Sequence, residues 1–120
     1  MGNYGFENLG VWQKSVTLVE MSYALVKRLP RDEKAVLIDQ LRRASTSVPL
    51  NIAEGSIGKN PKIFMQFLEI AHRSLYETVA ILKIIERLYK ISVSKELELC
   101  DEISKMLSGL KRWVSSTRNS

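Results

Sequence analysis

The chain has 120 residues, 45% apolar and 26% charged, with 18 Lys and Arg against 13 Asp and Glu for a formal charge of +5. That size suits one domain, residues 1–120, whose core needs neither metal nor disulfide, and the single cysteine, Cys100, excludes an internal disulfide and a thiolate zinc site and reads as a small buried residue. No apolar run approaches the ~20 residues of a membrane span, the opening MGNYGFENLG lacks the basic end and apolar run of a secretory signal, and a cytoplasmic protein with some bias toward anionic partners is expected.

Gly and Pro are sparse and stand at boundaries, which divides the chain into four helical segments. The first runs from about Asn8 to Leu29 and stops at Pro30, with Asn8 as its cap. Leu9, Trp12, Val16, Val19, Tyr23 and Val26 recur at steps of three and four and form its main apolar face. Val11, Leu18, Leu25 and Leu29 make a second stripe beside it.

The second segment covers about 32–56 and opens on Asp32, suited to a helix start as cap and as charge. Leu37, Leu41, Ala44, Val48 and Ile52 share a face that continues through Pro49. A proline there lacks an N–H and crowds the carbonyl of Ser45, so it predicts a kink rather than an end. Gly55 and Gly58 then close the helix. The third segment covers about 61–90, with Asn60 as cap and Pro61 at the first helical position. The fourth covers about 94–114, with Glu96 in its first turn and Lys111 and Arg112 near its C-terminus, where positive charge is favourable. The tail Ser115 to Ser120 is polar and is expected to fray.

No segment alternates apolar and polar residues long enough for a strand. Short connections between long helices predict an all-α fold, an antiparallel up-down-up-down four-helix bundle. Two helices carry more apolar surface than one core needs. On the third, residues from Phe64 to Tyr89, among them Ile70, Ile84 and Leu88, spread over roughly 220°, where a core-facing stripe needs little more than ~100°. The fourth keeps Leu99, Cys100, Ile103, Met106, Leu107, Leu110, Trp113 and Val114 within roughly 140°. A surplus of exposed apolar surface points to burial of the first and third helices against another subunit. Ser15, Ser22, Ser74 and Thr78, inside those broad arcs, would permit close approach there.

Sites for chemistry are few. His72 is the only histidine and is placed on the polar side of the third helix, as a surface residue. No H-x-x-x-H pair exists, and the single E-x-x-H, Glu69 to His72, has no second copy with which to build a di-metal site. EGSIGKNP lacks the spacing of a phosphate loop and follows no strand. Only a tertiary contact of His72 could form a triad. No catalytic residue, metal ligand or cofactor is therefore expected. On the second helix Gln40, Arg43, Ser47, Asn51 and Glu54 form a polar stripe along the border of the apolar face. It reads first as a hydrogen-bond lock on the kink and on helix packing, and alternatively as a recognition surface. Arg42, Arg43, Lys59, Lys62 and Arg73 are the candidate nucleic-acid contacts, with Lys59 and Lys62 flanking a helix N-terminus.

The segments FENLGVWQKS, QLRRASTSVPLNIAEG and FMQFLEIAHRSLYET, in this order, resemble the four-helix-bundle proteins encoded in intervening sequences of bacterial 23S ribosomal RNA genes. The accessory protein of diversity-generating retroelements is similar. The likeness spans about Phe6 to Leu110, and Gln40 to Gly55 is its specific part. Where a Gly-Arg pair is the pattern after the glutamate-glycine, this chain has GSIGKN, with Lys59 as the cation. The resemblance implies a homo-oligomer, a pentamer, associated with nucleic acid and without catalytic activity.

The expectation is a non-enzymatic homo-oligomeric bundle that binds RNA or DNA through repeated basic surfaces, mostly by phosphate contact and so in a salt-dependent way. Few exposed aromatic residues are evident for base stacking, so weak sequence specificity is expected. The alternative is a helical adaptor for a protein partner, using the apolar faces of the first or third helix.

Overall fold

The computed structural model describes residues 4–30 and 35–118. A 3-10 turn at Gly5–Asn8 leads into α1 (Gly10–Lys27), followed by α2 (Ala35–Ile57), α3 (Pro61–Tyr89) and α4 (Ser94–Arg118), with no strand among the described residues. Each helix packs on its sequence neighbour and α1 closes the ring against α4, with α2–α3 the most extensive interface. Partners across each interface run in opposite directions. Ser47 meets Ser74 while Gly55 meets Phe67. His72 meets Ser104 while Glu69 meets Lys111. Gly10 meets Met106 while Lys14 meets Glu102. The result is a four-helix bundle of 52 × 31 × 21 Å.

The helix starts follow two different local solutions. At α3, Asn60 Oδ1 accepts from the backbone N–H groups of Lys62 (3.0 Å) and Ile63 (3.2 Å), and Pro61 takes the position where an N–H would have no partner. At α1 the expected Asn8 cap is replaced. The helix begins after Leu9, with no side-chain cap, and the 3-10 turn carries the chain in. There Tyr4 N–H donates to Glu7 Oε1 at 2.9 Å, and Gln13 Nε2 donates to the Glu7 carbonyl at 2.8 Å. The expected cap of α2, Asp32, lies outside the described residues.

The buried face of α1 is the stripe that the apolar pattern ranked second. Val11, Ser15, Leu18, Ser22, Leu25 and Leu29 are buried at steps of four, three, four, three and four. Trp12, Val16 and Val19 are half-buried and Tyr23 is exposed. Two serines in the inner stripe hide its periodicity from a purely apolar count. Ser15 stays satisfied inside the core by donating to the Val11 carbonyl at 2.6 Å, whereas Ser22 Oγ has no partner. Ser74 and Thr78 are likewise buried within the subunit, so these small residues thin the bundle's own interfaces rather than an external one.

α2 passes through Pro49 without ending. Pro49 offers no N–H to the Ser45 carbonyl, and hydroxyls crowd the turn before it: Thr46 Oγ1 donates to the Arg42 carbonyl at 2.7 Å, and Ser45 Oγ reaches the same carbonyl at 3.3 Å. Gly55 does not close the helix. It lies inside the last turn, buried against α3, and only Gly58 falls beyond the end. A Cβ on Gly55 would stand 2.6 Å from Phe67 Cβ and 3.0 Å from Phe64 Cδ1, so the absence of a side chain lets the two helices meet.

α3 ends on Lys90 in the left-handed region, its N–H returned to the Glu86 carbonyl. α4 stays helical through Ser115, Ser116, Thr117 and Arg118, where fraying was expected. Val114 is buried there, and Thr117 Oγ1 donates to the Trp113 carbonyl at 2.8 Å. Trp113, expected on the core face, is exposed. The next residue, Val114, is buried in line with Ile103 and Leu107, and at ~100° per residue Trp113 falls at the edge of that stripe.

The core is continuous through all four helices, with Leu18, Leu41, Ile52, Leu75, Leu82 and Ile103 at zero exposure. Each such side chain contributes about 1.5–3 kcal/mol of apolar burial. Cys100 is buried among them, and desolvation, helped by nearby Glu96, pushes its thiol up to about 12. It is an inert packing residue at neutral pH.

Candidate nucleic-acid interface

The five candidate cations fall into separate groups. Arg42 is exposed on α2, its guanidinium 5.1 Å from the centroid of the Tyr23 ring on α1. Arg43, one residue on, pairs with Asp39 at 3.5 Å across exposed surface, a contact of little energetic weight. Lys59 and Lys62 bracket the turn into α3, roughly 20 Å further along the α2 axis. Lys59 adopts φ 54°, in the left-handed region. Arg73 is exposed on α3. Among the described residues Arg42, Lys59, Lys62 and Arg73 make no ion pair. One subunit therefore presents dispersed cations, not one basic pocket.

The polar stripe divides in two. Ser47 and Asn51 join a network across the α2–α3 interface. Ser47 Oγ lies 2.8 Å from Ser74 Oγ, and Asn51 Nδ2 donates to the Ser47 carbonyl at 2.7 Å and to Ser47 Oγ at 2.9 Å. Gln40, Arg43 and Glu54 are exposed. Gln40 and Arg43 join Ser47, Ser74 and Glu77 around a shallow hollow of about 350 Å³. The facing acidic Glu77 weakens it as an anion site.

His72 is not a surface residue. It is buried, its ring stacked on Tyr76 with centroids 5.0 Å apart, and its Nε2 lies 2.9 Å from Ser104 Oγ on α4. The helix spacing carries this signal, because Leu68, His72, Leu75 and Val79 follow steps of four, three and four. His72 Nδ1 is buried without a partner. The serine–histidine contact therefore lacks the acceptor that orients the imidazole of a catalytic triad.

Burial, reinforced by the Lys111 ammonium and opposed by the Glu69 carboxylate, holds the His72 imidazolium below its ordinary value of 6.5. Glu69 is itself held below 4.5, chiefly by its 2.8 Å hydrogen bond with Lys111. The sign follows. Below pH 6.5 the unfolded chain takes up a proton that the folded chain resists, so stability falls as the pH drops from 6.5. Glu69 contributes stability that is lost only below its ordinary 4.5. Urea midpoints should therefore decline between pH 6.5 and 5 in the wild type, and His72→Gln should flatten that interval; parallel curves would contradict the assignment.

The apolar surplus is also visible. Ile63, Ile70, Ile84 and Leu88 are exposed along α3. Between α1 and α2, Phe6, Trp12, Val16, Val19, Pro49 and Leu50 line an apolar groove of about 390 Å³, and Leu50 is 67% exposed. Exposed aromatic residues are more numerous than the sequence suggested, with Tyr4, Tyr23, Tyr76 and Trp113 all at the surface. Among the described residues no helix is long and apolar enough to cross a membrane, and no group of three or more His, Cys, Asp or Glu is placed to hold a metal.

This is a small all-helical bundle with dispersed surface cations. Residues 7–109 match the family model of the 23S rRNA-intervening sequence protein, and the chain belongs to that family. No curated protein matches it.

Proposed function

We propose that this chain is a non-enzymatic bundle that assembles with copies of itself, as a pentamer, and binds RNA through basic surfaces repeated by that assembly. The observation that carries the reading is the set of exposed cations, Arg42, Lys59, Lys62 and Arg73, which make no ion pair among the described residues, on a member of the 23S rRNA-intervening sequence protein family. Dispersed cations give one subunit weak affinity. Repetition in an oligomer raises avidity for a polyanion by ~10²-fold or more without new contacts. The apolar groove between α1 and α2 and the exposed isoleucines of α3 are the surfaces that support assembly. The Ser47–Asn51–Ser74 network acts as an internal lock between α2 and α3.

The test combines mass and binding. Light scattering of nuclease-treated protein at micromolar concentration is expected to give a multimer, and Leu50→Glu or Ile70→Glu to reduce its mass. Affinity for structured RNA is expected to fall steeply as salt rises. A monomeric wild type would sink assembly; RNA affinity absent at low salt, or indifferent to salt, would sink the binding reading. Recovery of a stoichiometric protein from nuclease-treated lysate would favour the second reading, an adaptor, which the same apolar groove supports.

A further inference from the structure

Two hollows open where α2 turns into α3. The first, about 220 Å³, is walled by Ser56, Asn60, Phe64, Trp113 and Thr117 among others. The second, about 340 Å³, is walled by Tyr4, Phe6, Leu9, Ile57 and Phe64 among others. Lys59 lines both and, among the described residues, is the one charged side chain in either. Trp113 is 64% exposed and Tyr4 63%, so each hollow has an aromatic ring open to solvent at its rim.

Several observations agree on the kind of occupant. The first hollow is smaller than the ~300 Å³ at which ordinary ligand pockets begin, which suits one planar ring rather than a larger molecule. Its hydroxyl hydrogens are already engaged: Ser56 Oγ donates to the Ala53 carbonyl, and Thr117 Oγ1 donates to that of Trp113. The Asn60 side-chain oxygen is likewise engaged, capping α3. What remains is a flat apolar ring beside a cation, with Lys62 exposed in the first turn of α3. Aromatic faces beside positive charge are the means by which proteins hold unpaired bases and their phosphates, with little sequence preference. Duplex RNA offers phosphates but no free base faces. A carboxylate-bearing partner would meet the cation and leave the exposed rings without a counterpart.

We propose that this end of the bundle binds single-stranded RNA, with an unpaired base stacked on Trp113 and the flanking phosphates held by Lys59 and Lys62. The proposal rests on the RNA-binding reading above and adds to it the strand state of the ligand and the residues that sense it.

The experiment compares a short oligouridine with a duplex RNA of equal phosphate count, using the full chain. Trp113→Ala is expected to weaken oligouridine binding roughly ten-fold, the loss of one stacked base, and to leave duplex binding unchanged. Trp113→Phe, which keeps an aromatic face, should retain most of the affinity. Lys59→Gln should weaken both ligands and reduce the salt slope by about one. Because Trp113 is exposed, unchanged thermal melts are expected for these variants. If the wild type binds both RNAs and Trp113→Ala matches it on oligouridine, the stacking site is wrong while the RNA reading stands. Equal losses on both ligands would also overturn it. Absence of binding to either RNA by the wild type would overturn both readings, and a stoichiometric protein captured by wild type but not by Trp113→Ala would assign the hollow to a protein.

Discussion

Leu18→Ala is expected to destabilise the folded subunit by about 2–5 kcal/mol, the cost of lost burial plus the cavity left in a core that relaxes only partly. Leu18 is fully buried on the inner stripe of α1, flanked along that stripe by Ser15 and Ser22. The matched control is Tyr23→Ala, on the stripe that looks more apolar in sequence. Tyr23 is exposed and its ring lies under the Arg42 guanidinium, so its loss should cost no more than ~1 kcal/mol in the separated subunit. Urea unfolding of the two variants, at equal m-values, distinguishes the faces. Equal losses would mean that α1 is rotated from the position described.

Gly55→Ala is expected to lower stability although alanine is the better helix former. The propensity gain is at most ~1 kcal/mol. Against it stands a Cβ placed 2.6 Å from Phe67 Cβ, an atom fixed to the backbone of α3 that no rotamer change can move away. Relief requires the two helices to separate, and overpacking of this kind costs about 1–3 kcal/mol. Gly55→Val should cost more. Because α2–α3 is the most extensive interface, the displacement should also strain the Ser47–Ser74 hydrogen bond. A raised thermal midpoint for Gly55→Ala would show that α3 gives way freely.

These two positions mark what local sequence could and could not reveal. The start of α3 was legible because Asn60 and Pro61 act within one turn of themselves, through a cap and a missing N–H. The continuation of α2 through Pro49 was legible because apolar residues kept their spacing on both sides. Gly55, by contrast, looked like a terminator. Its role depends on Phe67, twelve residues away and on another helix. Asn8 looked like a cap because residue type marks it so, yet hydrogen bonds from Tyr4 and Gln13 to Glu7 organise a 3-10 turn that starts the helix later.

The candidate interface was legible in its parts and not in its arrangement. Composition and position identified Arg42, Arg43, Lys59, Lys62 and Arg73 as cations near helix boundaries or on polar arcs. Only tertiary packing separated Arg42 and Arg43 from Lys59 and Lys62 and brought Trp113 and Tyr4 to hollows that Lys59 lines. Trp113 had the right spacing for a core residue. It is exposed because it stands at the edge of the stripe that Ile103, Leu107 and Val114 bury, and periodicity within α4 does not say how far the neighbouring helices cover that edge.

The sequence alone determined an all-helical chain of four segments and a net positive charge, because these follow from residue type and from spacing within one helix. The tertiary structure decided which stripe of α1 faces inward, that His72 lies buried against Ser104, and that Lys59 at the α2–α3 turn lines hollows shared with Trp113 and Tyr4. The physical reason is common to all three. An amphipathic helix states which of its residues could be buried, but the neighbour that covers one stripe and leaves the other exposed lies elsewhere in the chain.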